Sequence, residues 1–519
     1  MKKLIVLLLC LSMMLTGALA EISYPIENGP TLTVWIDRDA GNSQLYLDYA
    51  DNPVWQEFMK VTGVQIQFKH PTYGAASEGF STMMANEDQW PDIIIDFDAY
   101  YNGGTVAGLE DGVIYDLTEY IEEYAPDYYA LVNSSPEVRA QFYNEDNQLL
   151  AFYVYNLEDN PTARSPILRS DLLEKFGMDY HDLDTYDEIE AYFQKVLDEC
   201  PGVVPFLPCY DNNEALEIGM MGYDLRDDFM VIDGKITYYA KLDNYKAFLQ
   251  RMHEWYTKGY IGVDYSSTKL AQARKRYAAG ELACELVPVG NAYSDTVPTE
   301  FSIERGPYWM TEEGKTIHVW PAGLDKNGGY AAVVTTHCDE SLLPVVCQFL
   351  NYGYTEAGIH FANYGPLGIS SYIKDDGTIW YTDWVIHNPD NETSVMHNVS
   401  RQHYWPRAAL SDATCNPNVR RDETVLELRT RFTDEPNYSN DYLLNSAVTL
   451  TLEETEDRSG IMVNVESYVK EMMFKFIQGD ADIETEWDNY LKTLERYKLD
   501  EAIKITQNAY DRYVARLSK

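Results

Sequence analysis

The sequence predicts an α/β fold that ends in a helical C-terminal segment. In the first hundred or so residues short apolar strands alternate with amphipathic helices, which is the pattern of a parallel sheet covered on both faces. From residue 469 onward the chain shows three helical apolar faces in succession. A length of 519 residues is enough for about two to four ordinary domains, and 45% hydrophobic residues can form a sizeable core.

The elements of the N-terminal pattern follow one another closely. Residues 32–36 have the composition of a first strand, and residues 64–68 alternate like a half-buried strand. The helix between them shows a regular apolar face and is predicted to end at Gly63. Residues 91–96 form a continuous apolar strand that acidic residues bound. These strands therefore predict a buried sheet whose carboxyl ends meet at one edge.

Two later segments carry strong helix signals. Thr185 and Glu188 form a capping box, in which each side chain satisfies the other residue's backbone N–H. This box predicts a helix that starts at residue 186. Near the C-terminus an apolar face that includes Val469 and Phe476 predicts a helix that ends at Gly479.

The N-terminus has the features of a secretion signal. Lys2 and Lys3 precede a short apolar stretch, and residues 18–20 form a small-x-small cleavage site. The apolar stretch is shorter than the ~20 residues of a membrane-spanning helix. Residues 1–20 are thus predicted to be removed, and the mature chain is predicted to begin at Glu21. Because Cys10 lies inside the apolar stretch rather than after the cleavage site, we expect a freely secreted form rather than a lipoprotein.

Composition excludes several classes of function. The formal net charge of −43 opposes binding to nucleic acid and to anionic membranes. The six cysteines beyond the signal are too sparse for a disulfide scaffold, and their connectivity cannot be deduced; Cys200 and Cys209 are the best candidate pair. No cysteines or histidines have the spacing of a zinc site, and the nine histidines include no metal-binding motif. We therefore expect no metal and no cofactor.

Residues 343–369 are the most informative stretch of the chain. A helix is predicted to begin near Pro344, where a missing N–H costs nothing, and to stop at Gly353. A short second turn, Tyr354-Thr355-Glu356-Ala357-Gly358, leads to the corner Tyr364-Gly365-Pro366-Leu367-Gly368. The stretch resembles a signature of the extracellular solute-binding proteins of sugar ABC transporters.

Other blocks resemble the same family, in the same order along nearly the whole mature chain. They include the strand at 91–96, the segment 168–178, the turn at 276–284 and the closing helices at 476–479 and 507–512. The last two resemble the oligosaccharide-binding branch of extracellular solute-binding protein family 1, which also contains lipoproteins. Some relatives have a calcium loop after the capped helix, but residues 198–205 lack the alternating oxygen ligands that calcium needs.

The resemblance implies a two-lobed fold of the periplasmic-binding-protein class II type, with a hinge and C-terminal helices. Lobe 1 is expected to contain residues 21–152 and 323–372, and lobe 2 residues 153–322 and 373–519 with the helical tail. The chain is expected to cross between the lobes near residues 152–155, 320–324 and 370–375, with the glycine corner at the last crossing.

Candidate ligand-binding residues follow from strand ends and from the resemblance. Ligands of open α/β sheets bind beyond the carboxyl ends of strands, where carboxylates and amides can bind sugar hydroxyls and aromatic rings can stack on sugar faces. The strand ends carry the candidates Asp37, Arg38, Asp96, Asp98 and Tyr100. The lobe crossing, the strand near residue 289 and the segment before the tail add Tyr153, Tyr155, Arg164, Asn291, Tyr293, Tyr404, Trp405 and Arg407.

Two classes of function remain open at this point. The ordered family blocks favour a protein that captures an oligosaccharide and delivers it to the permease subunits of an ABC transporter, without catalytic residues. Abundant acids and aromatics leave a secreted glycoside hydrolase or lyase as the alternative, with Asp96 and Asp98 or Asp37 and Asp39 as carboxylate pairs. A third interpretation is a peptide- or lipid-derived solute bound in the same fold. For the first we expect a monomer outside the cell, held at the surface by the transporter.

Overall fold

Two β-sheets organise the fold, and each lies at the centre of one lobe in the computed structural model. The structure describes residues 22–156, 164–208, 216, 219–288, 301–320, 326–401, 409–411, 415, 423–431 and 437–517. The first lobe surrounds a six-stranded sheet, and the second lobe surrounds a four-stranded sheet. The prediction of a two-lobed α/β fold is confirmed.

The sheet of the first lobe mixes parallel and antiparallel strands. In spatial order its strands are β14 (Leu410–Ser411), β4 (Phe152–Asn156), β11 (Asn327–Val334), β3 (Ile93–Ile95), β1 (Thr31–Trp35) and β2 (Gln65–Lys69). Strand β1 is parallel to β2 and to β3, whereas β11 is antiparallel to β3 and to β4. The return of β11 from the second lobe therefore places it in the middle of the first sheet.

Eight helices from the N-terminal part of the chain surround this sheet. They are α1 (Ala40–Leu45), α2 (Pro53–Thr62), α3 (Ala76–Met84), α4 (Phe97–Tyr100), α5 (Gly104–Glu110), α6 (Thr118–Tyr124), α7 (Pro126–Val132) and α8 (Pro136–Phe142). In α2 the Asn52 side chain caps the start by accepting the Val54 N–H at 2.9 Å, and Pro53 takes the first helical position. Gly63 ends α2 with a φ of 80°, as predicted from the sequence.

The sheet of the second lobe has the spatial order β10 (Ile303–Arg305), β5 (Arg164–Arg169), β9 (Leu282–Pro288) and β6 (Val204–Phe206). A separate hairpin consists of β7 (Phe229–Ile232) and β8 (Lys235–Tyr238). The helices are α9 (Ser170–Phe176), α10 (Tyr186–Glu199), α11 (Asp243–Lys258) and α12 (Leu270–Ala278). The capping box predicted at the start of α10 is confirmed, because the side chains of Thr185 and Glu188 each bind the other's backbone N–H.

The chain then returns to the first lobe and stays there longer than predicted. The elements are α13 (Leu343–Asn351), α14 (Glu356–Tyr364), β12 (Ser371–Ile373), β13 (Ile379–Tyr381), α15 (Asp383–Ile386) and α16 (Thr393–Val399). Helix α13 ends at Asn351 rather than at the predicted Gly353, because residues 352–354 form a tighter 3₁₀ turn. Helix α14 ends at Gly365, the first glycine of the corner.

The third crossing between the lobes lies later than residues 370–375. Helix α16 packs on α1 and is bound to the first lobe through the Asn42 side chain, which donates to Asn398 O at 3.2 Å, and the Asn52 side chain, which donates to Val399 O at 3.1 Å. Strand β14 then pairs with β4. The assignment of residues 373–401 and 409–411 to lobe 2 is therefore wrong, and the glycine corner is not a crossing.

The first crossing also lies slightly later than predicted. Strand β4 continues to Asn156 inside the first sheet, with Tyr155 opposite both Asn327 and Leu410. Residues 153–156 thus belong to the first lobe rather than to lobe 2. The second crossing falls between Trp320, in the core of the second lobe, and Lys326, whose carbonyl accepts the Asn156 N–H at 2.7 Å.

Four helices follow the third crossing and complete the second lobe. They are α17 (Glu423–Thr430), α18 (Leu452–Gln478), α19 (Ile483–Arg496) and α20 (Leu499–Leu517). The predicted apolar face of α18, from Val469 to Phe476 and Ile477, is buried in the core of the second lobe. Gly479 ends α18 with a φ of 81°.

Strand β9 buries a carboxyl group in the second lobe. Glu285 is 6% exposed, and its Oε1 atom has no hydrogen-bond partner among the described residues. Burial raises the pKa of Glu285 from 4.5 to about 7, although the neighbouring Arg274 opposes the shift. The folded protein therefore holds a proton on Glu285 at pH values where the unfolded chain has lost it.

This proton makes stability depend on pH. Between about pH 4.5 and 7 the folded state binds more protons at Glu285 than the unfolded state, so the free energy of unfolding decreases as pH rises and levels off above about pH 7. Glu285→Gln should remove this dependence and raise the free energy of unfolding near pH 8 by about 2–3 kcal/mol relative to wild type. Urea unfolding at several pH values measures the difference.

The exposed Glu281 on the same segment provides the control. It pairs with Arg276 at the surface, at 3.2 Å. Glu281→Gln should change the free energy of unfolding by less than about 1 kcal/mol at every pH. If the free energy of unfolding changed equally with pH in wild type and in Glu285→Gln, Glu285 would be ionised in the folded protein.

Candidate functional site

The carboxyl ends of β1 and β3 meet at one edge of the first sheet. The two strands are parallel neighbours, with Val34 opposite Ile93 and Trp35 opposite Ile94. Asp37 and the residues that follow β1 therefore start at the same edge as the residues that follow β3. The structure therefore brings the predicted residues of these two strand ends together.

The residues after β1 are held by local hydrogen bonds. The carboxylate of Asp37 accepts the Arg38 backbone N–H at 2.8 Å, and partial burial raises the pKa of Asp37. The Arg38 guanidinium donates to Leu47 O at 2.6 Å. Asp37 and Arg38 are both partly exposed at this edge.

The hydrogen bonds of the Asp39 carboxylate argue against a catalytic pair with Asp37. Its carboxylate caps α1 by accepting the Asn42 backbone N–H at 2.9 Å, and it also accepts the Asn42 side-chain amide at 2.7 Å. The Tyr49 hydroxyl donates to the same carboxylate at 3.2 Å. A carboxylate with three such donors is a poor acid or base for glycoside hydrolysis.

A residue with a left-handed backbone conformation turns the chain after β3. Asp96 has a φ of 59°, which sends Phe97 into the core and keeps Asp96 and Asp98 at the edge. The Asp98 carboxylate accepts the Thr105 backbone N–H at 2.6 Å, and burial raises the pKa of Asp98. The Asp98 carboxylate is thus anchored to the start of α5.

Thr105 is a residue of this edge that the sequence did not single out. Its hydroxyl lies 3.2 Å from the Tyr153 hydroxyl, so that Asp98, Thr105 and Tyr153 form a connected polar chain. The signal for this approach is the preceding glycine, because a Cβ on Gly104 would lie 2.8 Å from Asp98 Oδ1. Tyr153 itself is partly exposed beside this chain.

The two other predicted tyrosines differ in their surroundings. The Tyr100 ring packs against Trp35 and Phe80, with ring centroids 5.2 and 5.5 Å apart, and remains partly exposed. Tyr155 is 7% exposed and stacks on Phe142 at 5.7 Å in the core of the first lobe. The expectation that Tyr155 projects toward a ligand is therefore corrected, because its ring is buried against Phe142 in the core of the first lobe.

Six predicted residues remain, of which the structure describes the backbone of one, Arg164. The backbone of Arg164 lies opposite Pro288, so the start of β5 and the end of β9 share one edge of the second sheet. Five predicted residues lie outside the described residues, namely Asn291, Tyr293, Tyr404, Trp405 and Arg407. Their roles stay predictions.

The described residues next to the three crossings are hydrogen-bonded to one another. Tyr155 N–H donates to Ala409 O at 2.9 Å, and Asn156 N–H donates to Lys326 O at 2.7 Å. Gln141 of α8 accepts the Lys326 N–H at 2.6 Å through its side chain and the Asn327 side-chain amide at 2.8 Å through its backbone carbonyl. These hydrogen-bonded segments form a hinge, and no local sequence pattern predicts the role of Gln141.

A further contact joins the lobes near this hinge. Helix α20 of the second lobe packs on α8 of the first lobe. Arg512 of α20 pairs with Glu454 at 2.6 Å and reaches Glu145 of the first lobe at 3.6 Å. The side chain of Arg512 therefore connects the C-terminal helices of the second lobe to the first lobe.

Two observations bear on metal ions and membranes. Within the described ranges, no three His, Cys, Asp or Glu side chains are grouped closely enough to hold a metal ion. In that same part of the chain, no helix combines the length and the apolar character needed to cross a membrane. The predicted signal segment, residues 1–20, lies outside the described residues.

Sequence comparison identifies a distant relative. No protein-family model matches the chain. The chain is 22% identical over 455 residues to the fructooligosaccharide ABC transporter substrate-binding protein FusA of Streptococcus pneumoniae, a match that covers 80% of each protein. The resemblance to solute-binding proteins of sugar ABC transporters is thereby confirmed.

Solved structures have the same fold. FusA in complex with kestose matches 93% of this chain and 99% of its own, with 19% identity and a TM-score of 0.68. The HMO binding solute-binding protein of Bifidobacterium longum infantis matches with 14% identity and a TM-score of 0.68, over 94% and 99% of the two chains. The calcium-free alginate-binding protein AlgQ2 gives a TM-score of 0.64 at 18% identity, over 95% and 100%. These neighbours share the two-lobed fold.

Proposed function

We propose that this chain is an extracellular solute-binding protein of the oligosaccharide-binding branch, which captures its ligand between the lobes and delivers it to an ABC transporter. One observation carries the proposal. The carboxyl ends of β1 and β3, which are rich in carboxylates and aromatic rings, lie next to each other beside the hinge. The relatives at 22% identity or less that share this fold include proteins named for fructooligosaccharide and HMO binding.

Capture follows from the hinge. Ligand contacts that form only when both lobes close on the sugar shift the protein toward the closed state. Carboxylates such as Asp96 and Asp98 accept hydrogen bonds from hydroxyl groups, while Tyr153 and Trp405 supply apolar ring faces for the sugar C–H groups. No bond of the ligand needs to break in this cycle.

The anchoring of the carboxylates supports binding over hydrolysis. Asp39 serves as a helix cap and Asp98 is bound by Thr105, so neither of the pairs considered for glycoside hydrolysis has two unengaged members. The chain is a binding protein rather than an enzyme. A peptide- or lipid-derived solute is the remaining alternative, because the fold alone does not fix the ligand.

The proposed partners follow from the same role. The chain acts as a secreted monomer that the transporter permease holds at the cell surface, with residues 1–20 removed and Glu21 first. The excess of acids over bases disfavours nucleic acid as a partner.

Binding without turnover is the test of the function. A thermal-shift screen of neutral oligosaccharides should raise the melting temperature for at least one compound, because a ligand that binds only the folded state stabilises it. Mass analysis of the recovered sugar should show it intact. Cleaved sugar would favour the hydrolase or lyase, and stabilisation by peptides alone would favour the third interpretation.

Calorimetry with the oligosaccharide identified in this way tests the residues. Trp405→Ala should weaken binding by roughly 1–3 kcal/mol, because an aromatic face loses apolar contact with the sugar. Asp96→Asn should also weaken binding, since an amide replaces a carboxylate acceptor. Trp90→Ala is the matched control, because Trp90 precedes β3 and lies at the opposite edge of the sheet. Unchanged affinity in Trp405→Ala would remove that residue from the site.

A further inference from the structure

Strand β2 ends at the same edge of the first sheet as β1 and β3, and we call this the ligand edge. Strand β2 is parallel to β1, with Trp35 opposite Lys69, so the three carboxyl ends lie at nearly the same level. The predicted strand-end contacts follow β1 and β3, and none follows β2. Because neighbouring strands are about 4.8 Å apart, the end of β2 lies about 10 Å from the end of β3, roughly the length of two linked sugar rings.

Two large apolar side chains are exposed beside the end of β2. Leu47, in the segment between α1 and α2, is 81% exposed, and Tyr73, four residues after the end of β2, is 54% exposed. A single exposed apolar side chain needs no explanation, because more than half of a folded protein's surface is apolar. Leu47 and Tyr73 differ from such a case, because their segments are fixed to the ligand edge.

The backbone of Leu47 is held by a residue of the ligand edge. The Arg38 guanidinium donates to Leu47 O at 2.6 Å. The next residue, Asp48, caps a 3₁₀ turn by accepting the Ala50 N–H at 2.9 Å, and Tyr49 is buried in the core of the first lobe. Leu47 therefore presents its side chain to solvent from a fixed backbone.

His70 binds the segment of Leu47 to the ends of β1 and β2. Burial lowers the pKa of His70, so the ring is neutral near pH 7. Its Nε2 atom accepts the Tyr49 N–H at 3.2 Å, so its Nδ1 atom carries the proton and donates to Ile36 O at 2.9 Å. The Ile36 N–H donates in turn to Lys69 O at 3.1 Å. Leu47 is thus held two residues from a direct contact with the chain that leaves β2.

The segment of Tyr73 is also closely packed. It follows the buried Pro71 and forms a turn in which the Ala75 N–H donates to Thr72 O at 2.9 Å. Helix α3 starts directly after this turn, and a Cβ atom on its Gly79 would lie 2.7 Å from the Pro71 Cβ. Tyr73 therefore projects from a short, packed turn at the carboxyl end of β2.

We propose that Leu47 and Tyr73 form an apolar shelf that binds the outer units of an oligosaccharide of three or more sugar units. The shelf rests on the proposed function and specifies its class of ligand. Sugar rings have C–H faces that pack against tyrosine and aliphatic side chains. The shelf continues the ligand edge, because Arg38 belongs to that edge and binds Leu47 O. One sugar unit contacts the ends of β1 and β3, and the following units reach the end of β2.

The rigidity of the shelf favours binding. Side chains on a fixed backbone lose less conformational freedom when a ligand docks than side chains on a loop that must first become ordered. Both side chains are already exposed, so no part of the fold has to open before a sugar contacts them. The contribution of the shelf therefore increases with the number of sugar units that reach it.

The dependence of affinity on chain length tests the shelf. Calorimetry uses sucrose, kestose and nystose in one series and maltose, maltotriose and maltotetraose in another, with two to four units each. In a series that binds, the four-unit sugar should bind at least about tenfold more tightly than the two-unit sugar. Equal affinity of short and long sugars would overturn the shelf and leave oligosaccharide capture standing. Absence of binding by every member would count against capture itself, and the shelf would fail with it.

Variants locate the effect. Leu47→Ser and Tyr73→Ser should each weaken the four-unit sugar by about fivefold to tenfold and the two-unit sugar by less than about twofold, because only the longer sugar reaches the shelf. The melting temperature should change little, since both side chains are exposed. Val463→Ser and Tyr497→Ser are matched controls, with side chains 68% and 38% exposed in the C-terminal helical segment. Equal losses in the shelf and control variants would contradict the shelf.

Hydroxyl-radical footprinting detects the contact without a substitution. The radicals oxidise exposed leucine, valine and tyrosine side chains, and mass spectrometry of the digested protein gives the rate at each position. Saturation with the four-unit sugar should slow oxidation at Leu47 and Tyr73, because the bound rings remove both side chains from solvent, and should leave Val463 and Tyr497 unchanged. Unchanged rates at Leu47 and Tyr73 in the sugar-bound protein would overturn the shelf.

Discussion

Replacing Gly365 by alanine should destabilise the first lobe by about 4 kcal/mol or more. Gly365 ends α14 with a φ of 71° and a ψ of −177°, a region that side chains essentially do not adopt. A Cβ atom there would lie 2.0 Å from Ser400 O and 2.7 Å from the Ser370 Cβ. Because the closest of these atoms is a backbone carbonyl, the overlap cannot be relieved by a rotamer change.

Gly368 provides a control three residues away in the same corner. Its φ is 80°, but a Cβ atom would meet nothing within 4 Å. Gly368→Ala should therefore cost only the conformational strain, about 1–2 kcal/mol. Urea unfolding followed by intrinsic fluorescence compares the two variants. Equal costs would mean that strain rather than steric overlap makes this corner require glycine.

Replacing Arg305 by methionine should destabilise the second lobe by about 3–5 kcal/mol. Arg305 is fully buried, and burial lowers its pKa. Its guanidinium donates to Ser165 Oγ at 3.0 Å, to Leu428 O at 3.1 Å and to Arg431 O at 2.8 Å. Methionine fills a similar volume but leaves these acceptors unpaired, at about 1–3 kcal/mol each.

Two acceptors of Arg305 connect β10 to the segment that follows the third crossing. Leu428 and Arg431 belong to the segment that enters the second lobe after the third crossing. Arg305→Met should therefore lower the urea concentration at the midpoint of unfolding, measured by intrinsic fluorescence. Arg276→Met is the control, because Arg276 forms only surface pairs with Asp264 and Glu281 and should cost less than about 1 kcal/mol. A similar loss in both variants would contradict the role given to the buried contacts.

The ends of individual helices were predictable because they depend on near neighbours in sequence. Gly63 and Gly479 adopt the left-handed conformation that stops a helix, and the Thr185–Glu188 box starts one. The positions of Asp96 and Asp98 at a strand end were predictable for a related reason. Once β1 and β3 are assigned as parallel neighbours, their carboxyl ends must meet.

The errors arose where distant segments compete for the same surface. The third crossing was placed at the glycine corner, but α16 gains hydrogen bonds from Asn42 and Asn52, some 350 residues earlier, and stays on the first lobe. Tyr155 was expected to face a ligand, but pairing with Asn327 and Leu410 keeps its strand in the sheet and its ring in the core. Neither effect leaves a local pattern.

By itself, the sequence determined the α/β class, the resemblance to solute-binding proteins and the strand-end acids, because strand and helix periodicity, caps and strand order are encoded within short windows. The places where the chain changes lobes, the burial of particular tyrosines, the contacts of Gln141 with the hinge strands and the meeting of Asp227, Asp228 and Glu466 in one pocket became visible in the three-dimensional structure. Those features depend on contacts between residues that are far apart in the chain, and such contacts form only when the whole fold closes around them.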